Sequence, residues 1–352
     1  MRMASNLILI LVALVLAGCG PSAPEPAPTP TPAAPGAAEP PEALTGEYLG
    51  QPLPGEQPQL FAGGIVSTGM SERDLAMTPD GNEIYFSAQV GREATFSAIL
   101  VTRQVDGKWT LPRVAPFSGQ YFDLEPAISP DGSKLYFVSN RPKTSSDPSV
   151  SDEDIWVVDR DGDGWGEPRN LGLPVNTEKS EFFPSVTRDG TLYYTGKGED
   201  DKEAIYRARP LDGGFGEPER LGPEVNSGKA RFNGFIAPDE SFLILPIYGR
   251  EDSIGAVDYY VVFRSEDDRW SEPIHLGDKI NTPTGAEWSA SLSPDGKLLF
   301  FMSSRSVIVN RRAPRRMSYD ELRQLHDLSM NGNPDIWWVD AAVIGALRPT
   351  GF

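Results

Sequence analysis

Asp123 to Arg141 reads DLEPAISPDGSKLYFVSNR, and Glu287 to Arg305 repeats the phrase as EWSASLSPDGKLLFFMSSR. Three further copies read ERDLAMTPDGNEIYFSAQ from residue 72, EFFPSVTRDGTLYYTGK from residue 181 and RFNGFIAPDESFLILPI from residue 231. The turns in the five copies begin at positions 79, 130, 188, 238 and 294, which gives spacings of 51, 58, 50 and 56 residues. Strand-and-turn repeats of roughly 40 to 60 residues are typical of β-propellers. The chain is therefore predicted to be all-β, with one blade for each copy.

Each copy contains the strands that a blade requires. A continuous apolar run follows each turn, at 84–86, 135–138, 192–194, 242–245 and 298–302. Such a run fits a strand that is buried on both faces between two neighbouring blades. A third strand is predicted at 99–102, 155–158, 205–208, 259–263 and 336–339. The outermost strand carries the patterns WTLPRVAP, WGEPRNLG, FGEPERLG and WSEPIHLG, whose proline is tolerated at a sheet edge.

The two ends of the repeat region complement each other. The last copy has its third strand but stops before the outermost one, and residues 58–67, PQLFAGGIVS, have the pattern of that missing strand. Pairing of this N-terminal strand with the last blade would close the ring and remove two open sheet edges. We predict a single propeller of five blades closed in this way. Six blades, with one copy too divergent to identify, is the alternative.

Composition restricts the function. The 352 residues carry 32 Lys and Arg against 50 Asp and Glu, a formal charge of -18. Nucleic acid is not an expected partner, because phosphate contacts need a basic face. The chain has 2 histidines, His275 and His326, which leaves little material for imidazole chemistry. Its single cysteine excludes an intrachain disulfide framework.

That cysteine belongs to an N-terminus with the features of a bacterial lipoprotein. Residues 1–18 contain one arginine and an apolar run at 7–16, and they lead into the sequence LAGC, which ends at Cys19. The run is short for a membrane span and has the length of a signal-peptide core. We predict a lipoprotein signal peptide at 1–18 and lipidation of Cys19. An ordinary signal peptide whose cleavage site contains a cysteine is the alternative.

The segment after the cysteine is rich in proline and alanine. Residues 19–58 are predicted to be a disordered tether, and residues 59–352 to be the propeller. Gly20 stands where an aspartate is linked to inner-membrane retention, so by analogy the outer membrane is favoured. We expect a lipid-anchored monomer in the bacterial cell envelope that faces the periplasm.

The SPDG-x-x-LYF-x-S-x-R repeats resemble the TolB-type, WD40-like β-propeller repeat of bacterial envelope proteins, and the resemblance covers residues 59 to 352. It implies a platform that binds other molecules and does not define a reaction. The chain departs from the pattern at Arg188, where the repeat has proline, and at the PDE turn of Pro238. No TolB N-terminal domain is recognisable, so the chain is not expected to be TolB itself.

Acidic residues stand seven positions before four of the five turns, with an arginine before the other, and these positions are the first candidate site. We predict that they form a rim at one mouth of the central channel, where their field would attract a cation, a basic peptide or a polyhydroxylated ligand. The five rim positions are Glu72, Asp123, Glu181, Arg231 and Glu287. A second set lies five or six residues earlier, at Ser67, Ser118, Asn176, Asn226 and Asn281. The alternative is that both sets cap strand ends and bond to loop backbones.

An acidic turn is the second candidate. Asp159, Asp161 and Asp163 fit the first half of a calcium-binding loop, in which alternate carboxylates surround a hard cation. The twelfth position is Asn170 where an EF-hand has glutamate. A hairpin turn that happens to be acidic is therefore the preferred interpretation, and calcium is the one cofactor considered.

An insertion in the last repeat, at 306–333, is the third candidate. It begins with Arg311, Arg312, Arg315 and Arg316, and a capping box at Ser318 and Glu321 predicts a short helix at 319–328. Topology places the insertion on the same face as the rim. It is either an arm that binds a partner or a loop that docks on the protein's own rim.

These observations predict a binding function. No nucleophile motif, phosphate-binding loop or metal-ligand cluster is visible, and neither histidine has evident partners for a triad. We predict a non-catalytic, membrane-tethered propeller, not an enzyme, that binds protein or glycan in the envelope. The alternative is an enzyme that cleaves glycans with a carboxylate pair at the channel mouth, as five-bladed glycosidases do.

Overall fold

The computed structural model describes residues 44–91, 94–143, 152–306 and 316–352. These residues form five antiparallel sheets that follow one another along the chain. The inner strand of each sheet lies next to the inner strand of a neighbouring sheet, so that the sheets surround a common axis as the blades of a propeller. The prediction of an all-β propeller with five blades is confirmed.

The two strands nearest the axis in each blade follow the predicted repeat. The inner strands are Ser71–Met77, Asp123–Ile128, Glu181–Val186, Glu287–Leu292 and, in blade 4, the two short segments Ala230–Arg231 and Phe235–Ile236. The second strands are Glu83–Val90, Lys134–Ser139, Leu192–Lys197, Phe242–Tyr248 and Leu298–Ser303. The apolar runs that follow the turns are therefore the second strands, as the sequence predicts.

The outer half of each blade is less regular. The third strands are Phe96–Val105, Asp154–Asp161, Glu203–Ala208, Val257–Phe263 and Asp335–Asp340. Short segments complete the blades at Lys108–Trp109, Arg113–Val114, Gly164–Trp165, Arg169–Asn170, Glu219–Arg220 and Ile274–His275. In blades 1 and 2 the proline lies between two such segments, because proline lacks the N–H that a continuous ladder needs. A small hairpin in blade 3 pairs Pro210–Leu211 with Gly214–Phe215.

The chain closes its own ring. The strand Gln59–Leu60 pairs with the third strand of blade 5 and supplies the outermost strand that this blade lacks. Phe61, which is fully buried, packs its ring 5.1 Å from those of Phe300 and Trp338 in that blade. The predicted closure by an N-terminal strand is confirmed.

The folded region begins earlier than the sequence predicts. The sequence predicts that residues 44–58 belong to the tether, yet Leu49 is buried in the core between blades 1 and 5. Gly46 also accepts a hydrogen bond of 2.7 Å from the indole of Trp109. A short 3-10 helix, Glu47–Gly50, lies in this segment. The start of the folded region is therefore corrected from residue 59 to residue 44. Leu44, Tyr48 and Leu49 pack against the core between blades 1 and 5 and hold this segment on the propeller.

The turns between the first and second strands of the blades are held by hydrogen bonds to an aspartate side chain. In the turn of blade 2 the Asp131 carboxylate accepts hydrogen bonds from the hydroxyl of Ser129 and from the backbone N–H of Ser133. Gly132 adopts a φ of 73°, which glycine reaches without steric cost. Equivalent aspartates in the other four blades accept the same backbone N–H bond, which explains why aspartate recurs at this position. The hydroxyl bond recurs in blades 1, 3 and 5, and in blade 4 the hydroxyl of Ser241 provides it from the other side of the turn.

In the part of the chain that the structure describes, two α-helices lie outside the blades. The helix Tyr319–Asp327 belongs to the insertion of blade 5, and the helix Ala342–Gly345 follows the last strand. Within the described ranges, no helix is long and apolar enough to cross a membrane.

Candidate functional site

One mouth of the channel opens into an aromatic-walled cavity of about 380 Å³, which we call the funnel. The residue that follows each predicted rim position contributes to its wall, one from each blade: Arg73, Leu124, Phe182, Phe232 and Trp288. The rings of Phe232 and Trp288 meet edge to face with centroids 6.5 Å apart. Phe122 adds a further ring. A concave, aromatic surface with a few polar groups is the usual form of a ligand site.

A polar cluster forms the floor of the funnel. The guanidinium of Arg73 donates to Glu125 at 2.6 Å, to Ser289 at 3.2 Å and to the carboxylate of Asp74 at 2.8 Å. The amide of Asn233 donates to the same Glu125 and Ser289, at 3.2 Å and 3.1 Å. Since the contacts join blades 1, 2, 4 and 5, the cluster lies at the centre of the ring.

The floor rests on an unusual backbone feature that recurs in every blade. The second residue after each rim position has a left-handed conformation: Asp74, Glu125, Phe183, Asn233 and Ser289 have φ between 48° and 64°. In four blades the strand register shifts at this point, as at a β-bulge. Left-handed backbone is costly for residues other than glycine and concentrates at functional sites and tightly packed positions.

Glu125 is the most deeply buried acid of the floor. Its side chain accepts from Arg73, from Asn233 and from the backbone N–H of Phe183, the last at 2.7 Å. Burial raises the pKa of the Glu125 carboxyl, and the charge of Arg73 opposes the rise. Glu125 also borders a second cavity, of about 180 Å³, at the opposite mouth, so the floor cluster separates the two.

The second cavity has a smaller share of polar side chains that could bind a ligand or react with it. Prolines and small apolar side chains dominate its wall, among them Pro79, Pro130, Pro184, Pro238 and Pro294. These residues belong largely to the inner strands and the turns that the repeat itself requires. We therefore take the funnel as the candidate site.

Two further carboxylates line the funnel above its floor. Glu153 immediately precedes the third strand of blade 2, and Glu203 begins the third strand of blade 3. Neither carboxylate accepts a hydrogen bond or forms an ion pair within the described ranges. Burial raises the pKa of Glu153, while the charges of Arg73 and Lys197 hold it down. Both groups are therefore available to a ligand.

The five predicted rim residues do not line the mouth. All are buried, with exposures between 0% and 5%, and the acids point into the loops that join the blades. Glu181 accepts from the backbone N–H and hydroxyl of Thr177 at 2.8 Å and 2.6 Å, and Glu72 binds Thr68 in the same way. This arrangement is the capping alternative, and it corrects the placement of the charges at an open rim.

The remaining rim positions confirm that placement inside the loops. Asp123 pairs with Arg141 at 2.7 Å, and Glu287 accepts from Thr282 and Ser303, each at 2.9 Å. Burial raises the pKa of both Glu181 and Glu287 to about 7. Burial lowers the pKa of Arg231, whose Nε has no partner in the described part of the chain.

The second predicted set anchors each inter-blade loop to the third strand of the blade that the loop leaves. Asn281 accepts from the backbone N–H of Tyr259 at 2.7 Å and donates to its carbonyl at 3.0 Å. Asn176 and Asn226 bind the third strands of blades 2 and 3 in the same way. Ser67 makes the equivalent pair of bonds in blade 5, and Ser118 makes the bond to the N–H in blade 1.

The acidic turn at residues 159–163 is a hairpin. The carboxylate of Asp159 is bound by Lys134 and by Arg169, and the segment ends in the strand Gly164–Trp165, which folds back on its neighbour. The structure does not assemble Asp159, Asp161 and Asp163 into a calcium site: among the described residues no three acidic, histidine or cysteine side chains are placed to hold a metal ion.

The insertion of blade 5 rests on the funnel face. The predicted helix is present, with both hydrogen bonds of the Ser318–Glu321 capping box. The side chains of Asn331 and Asn333 donate to the carbonyl of Gly69, in the loop that leads into blade 1. Arg311, Arg312 and Arg315 lie outside the described residues, and Arg316 is exposed. Docking on the protein's own loops is thus present at the C-terminal end of the insertion. Cys19 and the predicted signal peptide also lie outside the described residues.

The two histidines lie in different parts of the structure, and each is next to an aspartate. His275 contacts Asp258 at 3.1 Å and accepts from the backbone N–H of Gly277. Asn170 makes the corresponding bonds in blade 2, to Asp154 and Gly172. His326 is exposed on the insertion helix, beside Asp327.

The funnel could have been found in the sequence. Positions that the blade requires hold similar residues in most copies, as the rim acids do in four blades and the loop asparagines in three. The next position reads Arg, Leu, Phe, Phe and Trp across the five copies. Variation between otherwise repeated units is therefore the sequence signal that indicates the funnel.

Comparisons with known proteins describe the fold. No family model matches the chain, and no curated protein matches it in sequence. Solved structures match the chain in fold. A TolB candidate from Agrobacterium tumefaciens is 16% identical, covers 77% of this chain and 90% of its own, and has a TM-score of 0.44. The arabinanase Arb43A of Bacillus subtilis is 13% identical over 78% and 95%, with a TM-score of 0.47. A gluconolactonase from Xanthomonas campestris is 15% identical over 75% and 79%, with a TM-score of 0.45.

At these identities the likeness concerns the fold alone and assigns no activity to this chain. The TolB resemblance of the repeats is supported at that level. The prediction that the chain is not an enzyme is corrected, because the similar solved structures include an arabinanase and a gluconolactonase. A propeller of this kind gives no ground for excluding catalysis.

Proposed function

We propose that the protein binds a glycan of the bacterial cell envelope in the funnel. The observation that carries this proposal is the combination of an aromatic wall with polar groups on one side and at the base of the same cavity. A sugar ring presents a face of C–H bonds and an edge of hydroxyl groups. The aromatic wall suits the face, and carboxylates and amides suit the edge.

Trp288 is the residue on which binding should depend most. It offers the largest ring of the wall, and its indole N–H is buried without an acceptor in the described part of the chain. Gln89 and the two carboxylates of Glu153 and Glu203 provide hydrogen-bonding groups around it. The floor cluster is already satisfied by its own contacts, so it supports the site and limits its depth.

The cellular setting comes from the sequence. Lipidation of Cys19 would hold the protein at a membrane, and outer-membrane attachment facing the periplasm is part of the proposal. A protein partner in place of a glycan, and a monomeric state, stay predictions.

Binding is tested by calorimetric titration of the full-length protein in detergent with neutral oligosaccharides of several linkage types. We expect at least one to bind, and Trp288→Ala to weaken it by roughly tenfold, which corresponds to about 1.4 kcal/mol. Tyr319→Ala is the control, because that ring lies on the insertion helix and is 74% exposed. Absence of binding by every oligosaccharide, or equal affinity in Trp288→Ala, would contradict the proposal.

Glycan cleavage is the second candidate function. It is favoured by the two free carboxylates, because glycosidases use one carboxyl group as an acid and another as a base or nucleophile. The raised pKa of Glu153 suits the acid, which leaves Glu203 for the second role.

Cleavage is tested by release of reducing ends from the same oligosaccharides. We expect Glu153→Gln and Glu203→Gln each to lower kcat by about a hundredfold or more if the carboxylates act in this way. The exposed Glu266→Gln is the control. No release by the unmodified protein, or rates in both funnel variants equal to that of the unmodified protein, would remove this candidate.

A further inference from the structure

Glu153 and Glu203 occupy the same place in two neighbouring blades. Each stands two residues before the third-strand residue whose backbone is bound by a side chain from the inter-blade loop. The matching positions in the other blades are Ser97, Val257 and Pro334. A carboxylate that the blade fold needs would recur in every blade. The two acids therefore serve a purpose other than folding, and they put negative charge on one side of the funnel.

The cations near these acids do not neutralise them by contact. Arg73 directs its guanidinium to Asp74, Glu125 and Ser289. Lys197 is the cross-strand neighbour of Glu203, but no ion pair joins the two within the described ranges. Within the described ranges the funnel thus holds two half-buried carboxylates with no cation in contact, and burial disfavours the charge of Glu153.

The wall opposite offers the second half of a cation site. Phe182, Phe232 and Trp288 present aromatic rings in the same cavity. The face of an aromatic ring attracts a positive charge, and the attraction grows where water is excluded. Carboxylates and aromatic rings around one small cavity form the combination that recognises an ammonium group.

We propose that the funnel selects glycans that carry a free, protonated amino group, and that this group lies between Glu153 and Glu203. This inference rests on the proposed glycan-binding function and names its ligand class: glycans of glucosamine type, in contrast to their N-acetylated forms. An acetylated nitrogen is neutral and bulkier, so it would leave both carboxylates unpaired. The preference is electrostatic and should decrease as salt is added.

The test compares one oligosaccharide in two forms. Calorimetry on the full-length protein measures the affinity for N-acetylated chitotetraose and for its fully deacetylated counterpart. We expect the deacetylated form to bind roughly tenfold more tightly or better at low salt. In the double variant Glu153→Gln, Glu203→Gln the two forms should bind equally, because neither glutamine carries the negative charge that distinguishes an ammonium group from a neutral amide.

A matched control uses acids in the same two blades. Glu167 and Glu217 stand in the repeated GEP segments outside the funnel, so the double variant Glu167→Gln, Glu217→Gln removes the same net charge. The control should keep the preference for the deacetylated form. Its loss in the control as well would show that net charge of the whole protein, and not the funnel, is responsible, and would overturn the inference.

The outcomes separate this inference from the function on which it rests. Equal binding of both forms by the unmodified protein overturns the amino-group inference and leaves glycan binding in place. If neither form binds, and no neutral oligosaccharide binds either, the proposed function itself is contradicted. Tighter binding of a lysine-rich peptide than of either sugar, lost in the funnel double variant, would overturn the assignment to an amino sugar in favour of a peptide amine.

Discussion

Arg73 of blade 1 donates a hydrogen bond of 2.6 Å to Glu125 of blade 2, and the two side chains meet at the centre of the ring. Asn233 and Ser289 extend the contact to blades 4 and 5. The innermost strands are thus joined by side chains as well as by packing. The same contact closes the base of the funnel, so its removal should affect both stability and site.

Arg73→Met is expected to lower the free energy of unfolding by about 3–5 kcal/mol, because it leaves Asp74 and Glu125 buried without their counter-charge. Glu125→Gln should cost less, since Arg73 keeps its pair with Asp74. Urea denaturation measures both. Arg269→Met, which removes an exposed pair with Asp267, is the control and should change little. A larger loss in Glu125→Gln than in Arg73→Met would refute this account of the floor.

The closing strand makes a separate prediction about the ring. Phe61 is fully buried against Phe300 and Trp338, so Phe61→Ala should cost about 3–5 kcal/mol and lower the melting temperature. Leu53→Ala is the control in the same N-terminal segment, because its side chain is 65% exposed. Equal melting temperatures for the two variants would mean that the ring does not depend on this latch.

The blades could be predicted from the sequence because each second strand is a continuous apolar run, which has few alternatives to burial on both faces. The site could not be predicted in the same way. The charges of Glu72 and Arg73 are both visible in the sequence, and adjacent strand residues point to opposite faces. The register shift after Arg73 changes the alternation of the rest of the strand, so its apolar pattern does not show which of the two residues faces the funnel.

The start of the folded region illustrates a different limit. Residues 44–58 share the composition of a tether, and composition predicts disorder when few apolar residues are present. Leu49 lies in a gap between the first and last blades that exists only after the ring has closed. Local sequence contains no information about that gap.

The free energy of unfolding should decrease as the pH rises through neutrality. Burial raises the pKa of Glu181, Glu287 and Asp335 to about 7, from ordinary values of 4.5, 4.5 and 3.8. The folded state therefore keeps protons that the unfolded chain has released. The stabilisation is complete below about pH 4 and is lost as pH rises to 7 and beyond. Urea midpoints between pH 5 and pH 8 should decrease accordingly.

Glu287→Gln isolates one of these groups. The variant is neutral at every pH, and its amide nitrogen can occupy the place of Oε2, which has no partner among the described residues. We expect the loss of stability between pH 5 and pH 8 to shrink by about 1 kcal/mol or more, since one pKa unit corresponds to about 1.4 kcal/mol. Glu266→Gln, an exposed position, should retain the full slope. An unchanged slope in Glu287→Gln would show that this carboxyl is already ionised in the folded protein.

The asparagines of the inter-blade loops lead to a prediction for which another blade of the same chain provides the comparison. Asn281 binds both the N–H and the carbonyl of Tyr259 in a fully buried position. In Asn281→Ala the carbonyl keeps its bond of 3.1 Å from the N–H of Leu276, but the buried N–H of Tyr259 loses its partner, which should cost about 1–3 kcal/mol. Ser67 binds the N–H and the carbonyl of Ile336 with one hydroxyl, which shows that serine can serve at this junction. Asn281→Ser should therefore retain about half of the lost stability in thermal denaturation. If serine and alanine are equally damaging, the asparagine acts by filling space, and the hydrogen bonds to Tyr259 contribute little.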